Sequence, residues 1–416
     1  MLVPLLTGWD VRERADEIAG VPPLHGYLDV KVGPGTPLAV LVGAMAVMIG
    51  PAVAERLGWR RLLVVSWVVS LAWLLGLALV DGASGLSRVL GNRHEYLPTA
   101  RAVASVPDLL ASYVEHIPYT SPDNWPTHVA GHPPGMLLFF VLLVRLGLGG
   151  DLAAGVVVTV VAATLPAAVL VTVRALGRED LARRAAPYLV VTPAAVFLAV
   201  SADAVVAAVV AWGLAALALA SRDSLRAGWP WAVAAGLLLG YAVQMSYGMP
   251  LAGLLALAVL GANHRWWPVP VAALAALAVD LVFAALGFSW RAALPVLRER
   301  YWDGIAAERP AAYWLWADLG ALLLSGGLLL GSAVGAAWAA RRSEPVVALV
   351  AGGALLAVLA ADATLMSKAE VERIWLPFMP WLTLGLAVLP APWHRPALAV
   401  QVLTALVVQH LLYTTW

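Results

Sequence analysis

The sequence predicts an all-α protein, a polytopic bundle of transmembrane helices. Hydrophobic residues make up 62% of the 416 positions and charged residues only 12%, whereas soluble domains are about half apolar and about a quarter charged. Apolar runs recur along almost the whole chain, and roughly 20 helical residues suffice to cross a bilayer. The composition therefore predicts that lipid, rather than water, surrounds most of the chain.

Charge and cysteine content exclude several other classes of protein. The formal net charge is +1, so the chain lacks the basic excess that binds nucleic acid, and we expect no nucleic-acid partner. The chain has no cysteine, which excludes disulfides, thiolate metal sites and cysteine nucleophiles. It also carries no Gly-rich phosphate loop or dinucleotide-binding fingerprint, so nucleotide chemistry is not predicted.

The apolar runs predict about twelve spans, which together form a single transmembrane domain over residues 37–416. The predicted spans are 37–54, 62–81, 152–173, 185–201, 203–220, 230–245, 248–263, 268–288, 313–338, 346–363, 375–391 and 396–413. Residues 1–36 hold charges, Pro and Gly rather than a short apolar core, so they predict a polar tail and no cleavable signal peptide.

The arginines orient these spans. Short arginine-bearing connections all fall on one side if the spans alternate, and the positive-inside rule places that side in the cytoplasm. These connections are 56–61, 174–184, 222–226, Arg265, 341–342 and Arg395. The extracytoplasmic side of the plasma membrane then receives the polar, aromatic-rich segments, which are 1–36, 82–133, the turn at Asp203, 288–312, 364–374 and the C-terminus.

One apolar run, residues 133–148, does not fit this alternation. Counting it as a span would place the four arginines of 174–184 outside. The run is short, begins with Pro133-Pro134 and carries Arg145. We therefore predict a re-entrant or juxtamembrane helix, which is tolerated where protein or a cavity covers the backbone ends. An ordinary span with an atypical charge pattern is the alternative.

The external loop 82–133 supplies the first candidate site residues. Glu95, in Arg93-His94-Glu95-Tyr96, places a carboxylate where a helix meets the aqueous face, where it could deprotonate a hydroxyl or hold a divalent cation such as Mg²⁺ or Mn²⁺. A solvated residue paired with Arg93 is the alternative. His132 precedes Pro133-Pro134, and a helix N-terminus there would favour an anion such as phosphate, although a simple polar cap is equally compatible with the pattern.

Further candidates lie in the other polar segments. Asp203, between two apolar runs, is expensive to place in a membrane unless it faces water, a cation or a partner, and a helix N-cap at Ser201 or Asp203 is the alternative. Cations that could bind phosphate are Arg300, Lys368 and Arg373, the last with an ion pair to Glu370 or Glu372 as its alternative. The substrate loops are assigned His94, Asp123, His128 and Tyr313.

In combination, these motifs resemble those of the integral-membrane glycosyltransferases of the GT-C type. That family includes protein O-mannosyltransferases, the lipid A aminoarabinose transferase, and actinobacterial mannosyl- and arabinosyltransferases. The resemblance covers about residues 62–391. It rests on Glu95 after an early span, on His132 before Pro133-Pro134 where the family more often has Lys, on the Ser-x-Asp turn at Asp203, and on Arg373 in Arg-Ile-Trp-Leu-Pro.

The resemblance implies transfer of a sugar from a polyprenyl-phosphate donor to a hydroxyl of a lipid or glycan acceptor. It implies that Glu95 and Asp203 are catalytic or hold a metal, and that His132 and Arg373 bind the donor phosphate. A secondary transporter, whose intramembrane carboxylates would carry protons or cations, is the alternative function, and a lipid-linked-sugar flippase is another.

Overall fold

The structure is mainly helical. The computed structural model describes residues 26–414 and, before them, Leu6, Thr7, Val11, Pro23 and Leu24. About three quarters of the chain is helical and almost none of it is sheet. The predicted all-α class is therefore confirmed, whereas most of the predicted polar tail 1–36 lies outside the described residues.

The longer helices follow the predicted apolar runs, and shorter helices lie between them and in the predicted loops. They are α1 (Thr36–Arg56), α2 (Trp59–Ala78), α3 (Tyr96–Ala102), α4 (Val106–Ser112), α5 (Thr127–Ala130), α6 (Pro134–Arg145), α7 (Asp151–Ala162), α8 (Leu165–Ala175), α9 (Glu179–Val190), α10 (Ala195–Leu198), α11 (Ala202–Arg222), α12 (Leu225–Met245), α13 (Ala252–Asn263), α14 (Pro268–Ala285), α15 (Trp290–Trp302), α16 (Ala311–Gly326), α17 (Leu330–Ala339), α18 (Pro345–Ala363), α19 (Val371–Ile374), α20 (Met379–Thr383) and α21 (His394–Leu411). Short 3₁₀ turns join several of them, at Leu79–Leu86, Val114–His116, Met249–Leu251, Ile305–Ala307, Leu384–Val388 and Ala391–Trp393.

Six described helices are long and apolar enough to cross a membrane, or seven if one bent pair counts as a span. They are Thr36–Arg56, Trp59–Leu86, Asp151–Ala175, Ala202–Arg222, Pro268–Ala285 and Pro345–Ala363, and the bent pair is α16 with α17. The chain thus has the helices of a membrane protein, but the predicted count of twelve spans is not confirmed.

Two of the predicted spans are broken in the structure. Residues 185–201 divide into α9 and α10 around Pro193, which has no backbone N–H to continue a helix. Residues 313–338 divide into α16 and α17, whose axes differ by 92°. Gly327 has φ +121° at this break, a backbone conformation that side chains with a Cβ rarely adopt.

The run that does not fit the alternation forms α6, a helix of 12 residues. At about 1.5 Å per residue it is roughly 18 Å long, less than the ~30 Å hydrocarbon core. Protein covers it, since the Tyr241 hydroxyl donates to the Gly135 carbonyl oxygen over 2.8 Å and Phe140 is buried. A short helix covered by protein is what the non-spanning prediction requires.

Contacts sort the loops into two groups. On what we call the arginine face, formed by segments 56–61, 174–184 and 341–344, Arg183 donates to the carbonyl oxygens of Ala54 (2.9 Å) and Leu57 (2.7 Å). Arg178 pairs with Glu344 on the same face.

The second group, which we call the loop face, comprises segments 82–133, 288–312 and 364–374. There Arg300 donates to the carbonyl oxygens of Ile117 and Trp125. Lys368 donates to those of Ala306 and Arg309. The grouping of segments is the one that alternating spans predict.

A small sheet joins the two ends of the chain. Strand β1 (Gly26–Leu28) pairs antiparallel with β2 (Leu412–Thr414), in the register Gly26 to Thr414, Tyr27 to Tyr413 and Leu28 to Leu412. Asp81 accepts from both Lys31 (2.8 Å) and Gln409 (3.1 Å) beside it. Strands β1 and β2 therefore lie at the loop face, next to segment 82–133.

Candidate active site

Arg373 links two carboxylates that are far apart in the sequence. Its Nη1 donates to Glu95 Oε1 over 3.1 Å, and its Nε lies 3.3 Å from Asp203 Oδ2. Glu95 is 3% exposed, Arg373 4% and Asp203 8%, so water scarcely screens these charges. The three segments that carry them are the loop after the second predicted span, the first turn of α11, and α19. The sequence-predicted residues Glu95, Asp203 and Arg373 thus form one buried ion-pair cluster.

His128 completes the environment of Glu95. Its Nδ1 lies 2.8 Å from Glu95 Oε1 and, since a carboxylate oxygen accepts, Nδ1 carries a proton. Burial raises the pKa of the Glu95 carboxyl, but His128 and Arg373 together lower it to about 2. The carboxylate is therefore ionised, and its second oxygen, Oε2, is buried without a hydrogen-bond partner among the described residues. An acceptor oxygen of this kind is suited to a proton-donating ligand.

His132 lies on the other side of His128. Its Nδ1 is 3.0 Å from the His128 carbonyl oxygen, so Nδ1 carries the proton and Nε2 is left as an acceptor. The Tyr96 ring meets the imidazole edge-on, with 5.8 Å between centroids. Burial lowers the pKa of His132, and His128 and Arg373 lower it further, while Asp203 raises it. The imidazole is thus neutral near pH 7 in this arrangement.

Local structure fixes the two carboxylates. Glu95 directly precedes α3 in an extended conformation, and its N–H donates to the Asn92 carbonyl oxygen over 3.0 Å. Ser201 caps α11, because its hydroxyl accepts from the Asp203 N–H over 3.2 Å. The N-cap alternative thus holds for Ser201, while the Asp203 side chain turns to Arg373. The alternative pairing of Glu95 with Arg93 is not seen, since Arg93 Nε donates to the His94 ring.

Backbone strain is concentrated in the two segments that lead to Asp203 and Arg373. Five non-glycine residues in the described part of the chain have positive φ. One of them, His264, lies outside these two segments. The other four are Val200 (63°), Leu365 (56°), Ala369 (65°) and Glu370 (66°). Positive φ is a genuine outlier for a β-branched residue such as Val200. Because strained conformations of this kind cluster at functional sites, their position supports a site at Asp203 and Arg373.

The other predicted phosphate ligands make their contacts elsewhere on the loop face. Besides its two carbonyl partners, Arg300 lies over the Tyr119 ring, 4.0 Å from the centroid. Lys368 lies 4.6 Å from the Trp302 centroid. Both cations therefore hold the loops to one another.

The substrate-loop residues are also spread out. Asp123 is exposed and Tyr313 packs edge-on against Trp314, with 5.1 Å between centroids. The His94 carbonyl oxygen accepts from the His128 N–H over 3.2 Å. Of this group, His128 has a side chain bonded to the cluster. Its role was missed, although the four-residue spacing from His128 to His132 could have indicated a shared helical face.

A divalent cation held by both Glu95 and Asp203 would compete with Arg373 for these carboxylates. The Arg373 guanidinium already bridges the two carboxylates. Over the described residues, no group of three or more His, Asp or Glu side chains has a geometry suited to a metal ion. The predicted Mg²⁺ or Mn²⁺ therefore stays a prediction, and no chemical step below depends on it.

Comparisons with known proteins leave the family open. No protein-family model, no curated protein and no solved structure matches the chain. The resemblance to GT-C glycosyltransferases thus rests on the sequence motifs alone.

We expect acidification to destabilise the protein in two steps. The pKa of His132 is lower in the folded state than the 6.5 of a free imidazole, so the unfolded chain binds a proton first and stability is lost as pH falls below about 6.5. The pKa of Glu95 falls from 4.5 to about 2, so its contribution is present above about pH 4.5 and is lost towards pH 2.

The unfolding midpoint in detergent, followed from about pH 8 to pH 5, measures the first step. His132→Asn should flatten it. His264→Asn is the matched control, because asparagine tolerates the positive φ at that position. Parallel pH curves for the wild type and His132→Asn would contradict the assignment.

Proposed function

We propose that the protein is a membrane glycosyltransferase that moves a sugar from a polyprenyl-phosphate donor to a hydroxyl acceptor. The observation that carries this proposal is the convergence of Glu95, Asp203 and Arg373 in one buried cluster. These three residues come from three distant segments, and each belongs to a motif that carries the GT-C resemblance. We place the reaction at the loop face, which the positive-inside rule assigns to the extracytoplasmic side of the plasma membrane.

In the proposed reaction the acceptor hydroxyl donates its proton to Glu95 Oε2, the oxygen that has no partner among the described residues. The hydroxyl oxygen bonds to the anomeric carbon, and the bond from that carbon to the phosphate oxygen breaks. The electron pair leaves with the phosphate, whose added charge Arg373 stabilises through the planar donor fork of its guanidinium. The neutral His132 adds a polar contact rather than a charge.

Donor binding would also activate the base. With a pKa of about 2, Glu95 is a weak base while His128 and Arg373 hold it. A bound phosphate competes with the carboxylate for Arg373, and loss of that cation raises the pKa of Glu95. The carboxylate then approaches the basicity that proton abstraction near neutral pH requires. Because the pKa of Glu95 rises only after the donor has bound, Glu95 does not act as a base towards water in the free protein.

The experiment that tests this function is sugar transfer by the purified protein. A panel of labelled polyprenyl-phosphate sugars is incubated with lipid or glycan acceptors, and covalent product is measured. Asp203→Asn should lower the rate about 10²-fold or more, because Arg373 loses the charge that positions it. The matched control is Asp280→Asn, which changes a carboxylate that accepts from Gln244 outside the cluster.

Absence of covalent product with every donor would reject the proposal, as would full activity of Asp203→Asn. An EDTA arm tests the predicted divalent cation. Activity that EDTA abolishes and added Mg²⁺ or Mn²⁺ restores would support the cation.

A broken span favours the alternative, a secondary transporter. Helices α16 and α17 meet at 92° beside Gln401, whose side-chain oxygen and nitrogen are buried without a hydrogen-bond partner in the described part of the chain. Transporters bind substrates and ions at discontinuous helices of this kind. Label that accumulates in proteoliposomes without forming covalent product would select transport. This result is distinct from either outcome of the transfer assay.

A further inference from the structure

An apolar groove runs between α1, α2 and α9, away from the candidate active site. Its volume is about 280 Å³. Ser66 is the one polar side chain among its described lining residues, and the others are Val, Leu, Ile, Met, Ala, Gly and Pro. Met45 and Val68 are about half exposed, so the groove faces outwards from the bundle, where hydrocarbon surrounds a membrane protein.

A basic pocket adjoins the arginine-face end of this groove. It has a volume of about 550 Å³ and is lined by Gly58, Trp59, Arg60, Arg61 and Arg174. Residues 58–61 line the pocket. The next residue along the chain, Leu62, is the first residue of α2 that lines the groove. A chain of apolar contacts therefore leads into a cluster of cations.

Helical spacing places the arginines on the walls of the groove. Arg61 precedes the groove residue Val65 by four positions, and Arg56 follows Val53 by three. Residues three or four apart lie on the same face of a helix. The α1 and α2 walls thus each end in an arginine at the arginine face.

These arginines differ from their neighbours in having no protein counter-ion. Arg174 pairs with Glu179, and Arg178 pairs with Asp180 and Glu344. Over the described residues, by contrast, Arg56, Arg60 and Arg61 have neither a salt bridge nor a side-chain hydrogen bond, and Arg60 and Arg61 are exposed. An unbalanced positive charge at the end of an apolar groove suits a ligand with an anionic head and a hydrocarbon tail.

We propose that this groove binds an anionic phospholipid. An acyl chain lies along α1 and α2, and the phosphate contacts Arg56, Arg60 and Arg61. The ligand is a lipid rather than a soluble phosphate, because the groove is lined by hydrocarbon side chains and faces the bilayer interior, which an acyl chain can occupy and a soluble anion cannot. It is distinct from the polyprenyl-phosphate donor, whose proposed site lies at the opposite, loop face. The inference therefore stands independently of the proposed glycosyl transfer.

Native mass spectrometry of the full-length protein with equal amounts of phosphatidylglycerol and phosphatidylcholine tests the site. The wild type should retain phosphatidylglycerol selectively. Because each basic residue near a membrane surface strengthens the binding of anionic lipid about five-fold, Arg60→Gln with Arg61→Gln should reduce retention about 30-fold. Glycerol phosphate, which lacks acyl chains, should not be retained.

Two matched variants separate a defined site from general charge attraction. Arg341→Gln with Arg342→Gln removes two exposed charges from the same face and should leave retention unchanged. Gly50→Leu should reduce it by filling the groove, since a Cβ at this glycine meets Pro187 at an ordinary 3.5 Å. Equal retention of both lipids by the wild type would overturn the proposal. Equal losses in the two arginine pairs, or unchanged retention in Gly50→Leu, would also overturn it.

Discussion

Replacing Arg373 with Met is expected to lower the free energy of unfolding by about 3–5 kcal/mol, the usual effect of removing one partner from a buried ion pair. The change leaves Glu95 and Asp203 as two buried carboxylates without the cation between them. Denaturant or thermal unfolding in detergent would measure the loss. Arg373→Lys should retain part of the stability, because an ammonium keeps the charge but does not reproduce the donor fork that faces both carboxylates.

A triple variant, Arg373→Met with Glu95→Gln and Asp203→Asn, serves as the control for this prediction. It removes all three charges, so most of the lost stability should return. If the triple variant is no more stable than Arg373→Met, repulsion between the carboxylates is not the cause. The prediction concerns the cluster alone and holds whether or not the protein transfers sugar.

Replacing Glu95 with Gln should reduce sugar transfer by a factor of about 10²–10⁴, the range contributed by a positioned general base. Gln has almost the shape of Glu, and its carbonyl oxygen can still accept from Arg373 and His128. The fold should therefore survive while the proton acceptor is lost. Initial rates at saturating donor, with the unfolding midpoint measured in parallel, separate loss of chemistry from loss of structure.

Two further variants sharpen this measurement. Glu115→Gln neutralises an exposed carboxylate of the same loop and should leave the rate unchanged. Glu95→Asp keeps the carboxylate but shortens its reach, so it should retain more activity than Glu95→Gln. A Glu95→Gln enzyme with the wild-type rate would remove Glu95 from the reaction, even if sugar transfer itself is observed.

The sequence predicted which residues form the cluster, but it did not predict the contacts between them. Glu95, Asp203 and Arg373 each stand out because a charge next to an apolar run needs a partner or water. Nothing in their spacing shows that one guanidinium serves both carboxylates, because that contact depends on how distant helices pack. His128 was assigned only to a substrate loop, since one more polar residue in a polar loop carries little signal.

Arg300 and Lys368 show a second limit of the sequence. Each is predicted to bind phosphate because it is a cation in an aromatic-rich external loop. In the structure each donates to backbone carbonyl oxygens of neighbouring segments. Loops that leave regular structure need donors for their carbonyl groups, and sequence alone does not distinguish such an arginine or lysine from a ligand-binding one.

The extent of the spans was also only partly predictable. Hydropathy located the apolar runs correctly, and each of them contains helix. It does not show where the backbone turns within a run. The break at Gly327 depends on a positive φ, and Pro193 separates α9 from α10 within a run that is otherwise apolar. Both breaks are seen in the backbone structure. Average hydropathy does not detect them, because one Gly or Pro changes the mean of an apolar run very little.

The pairing of β1 with β2 has a consequence for biosynthesis. The two strands are separated by almost the whole chain, and a ribosome adds only about 5–20 residues per second. Strand β1 therefore stays unpaired for some tens of seconds, until β2 has been synthesised, while the helices between the two strands enter the membrane. A truncated nascent chain would keep an unpaired strand edge at its first helix, which quality-control factors could recognise as incomplete.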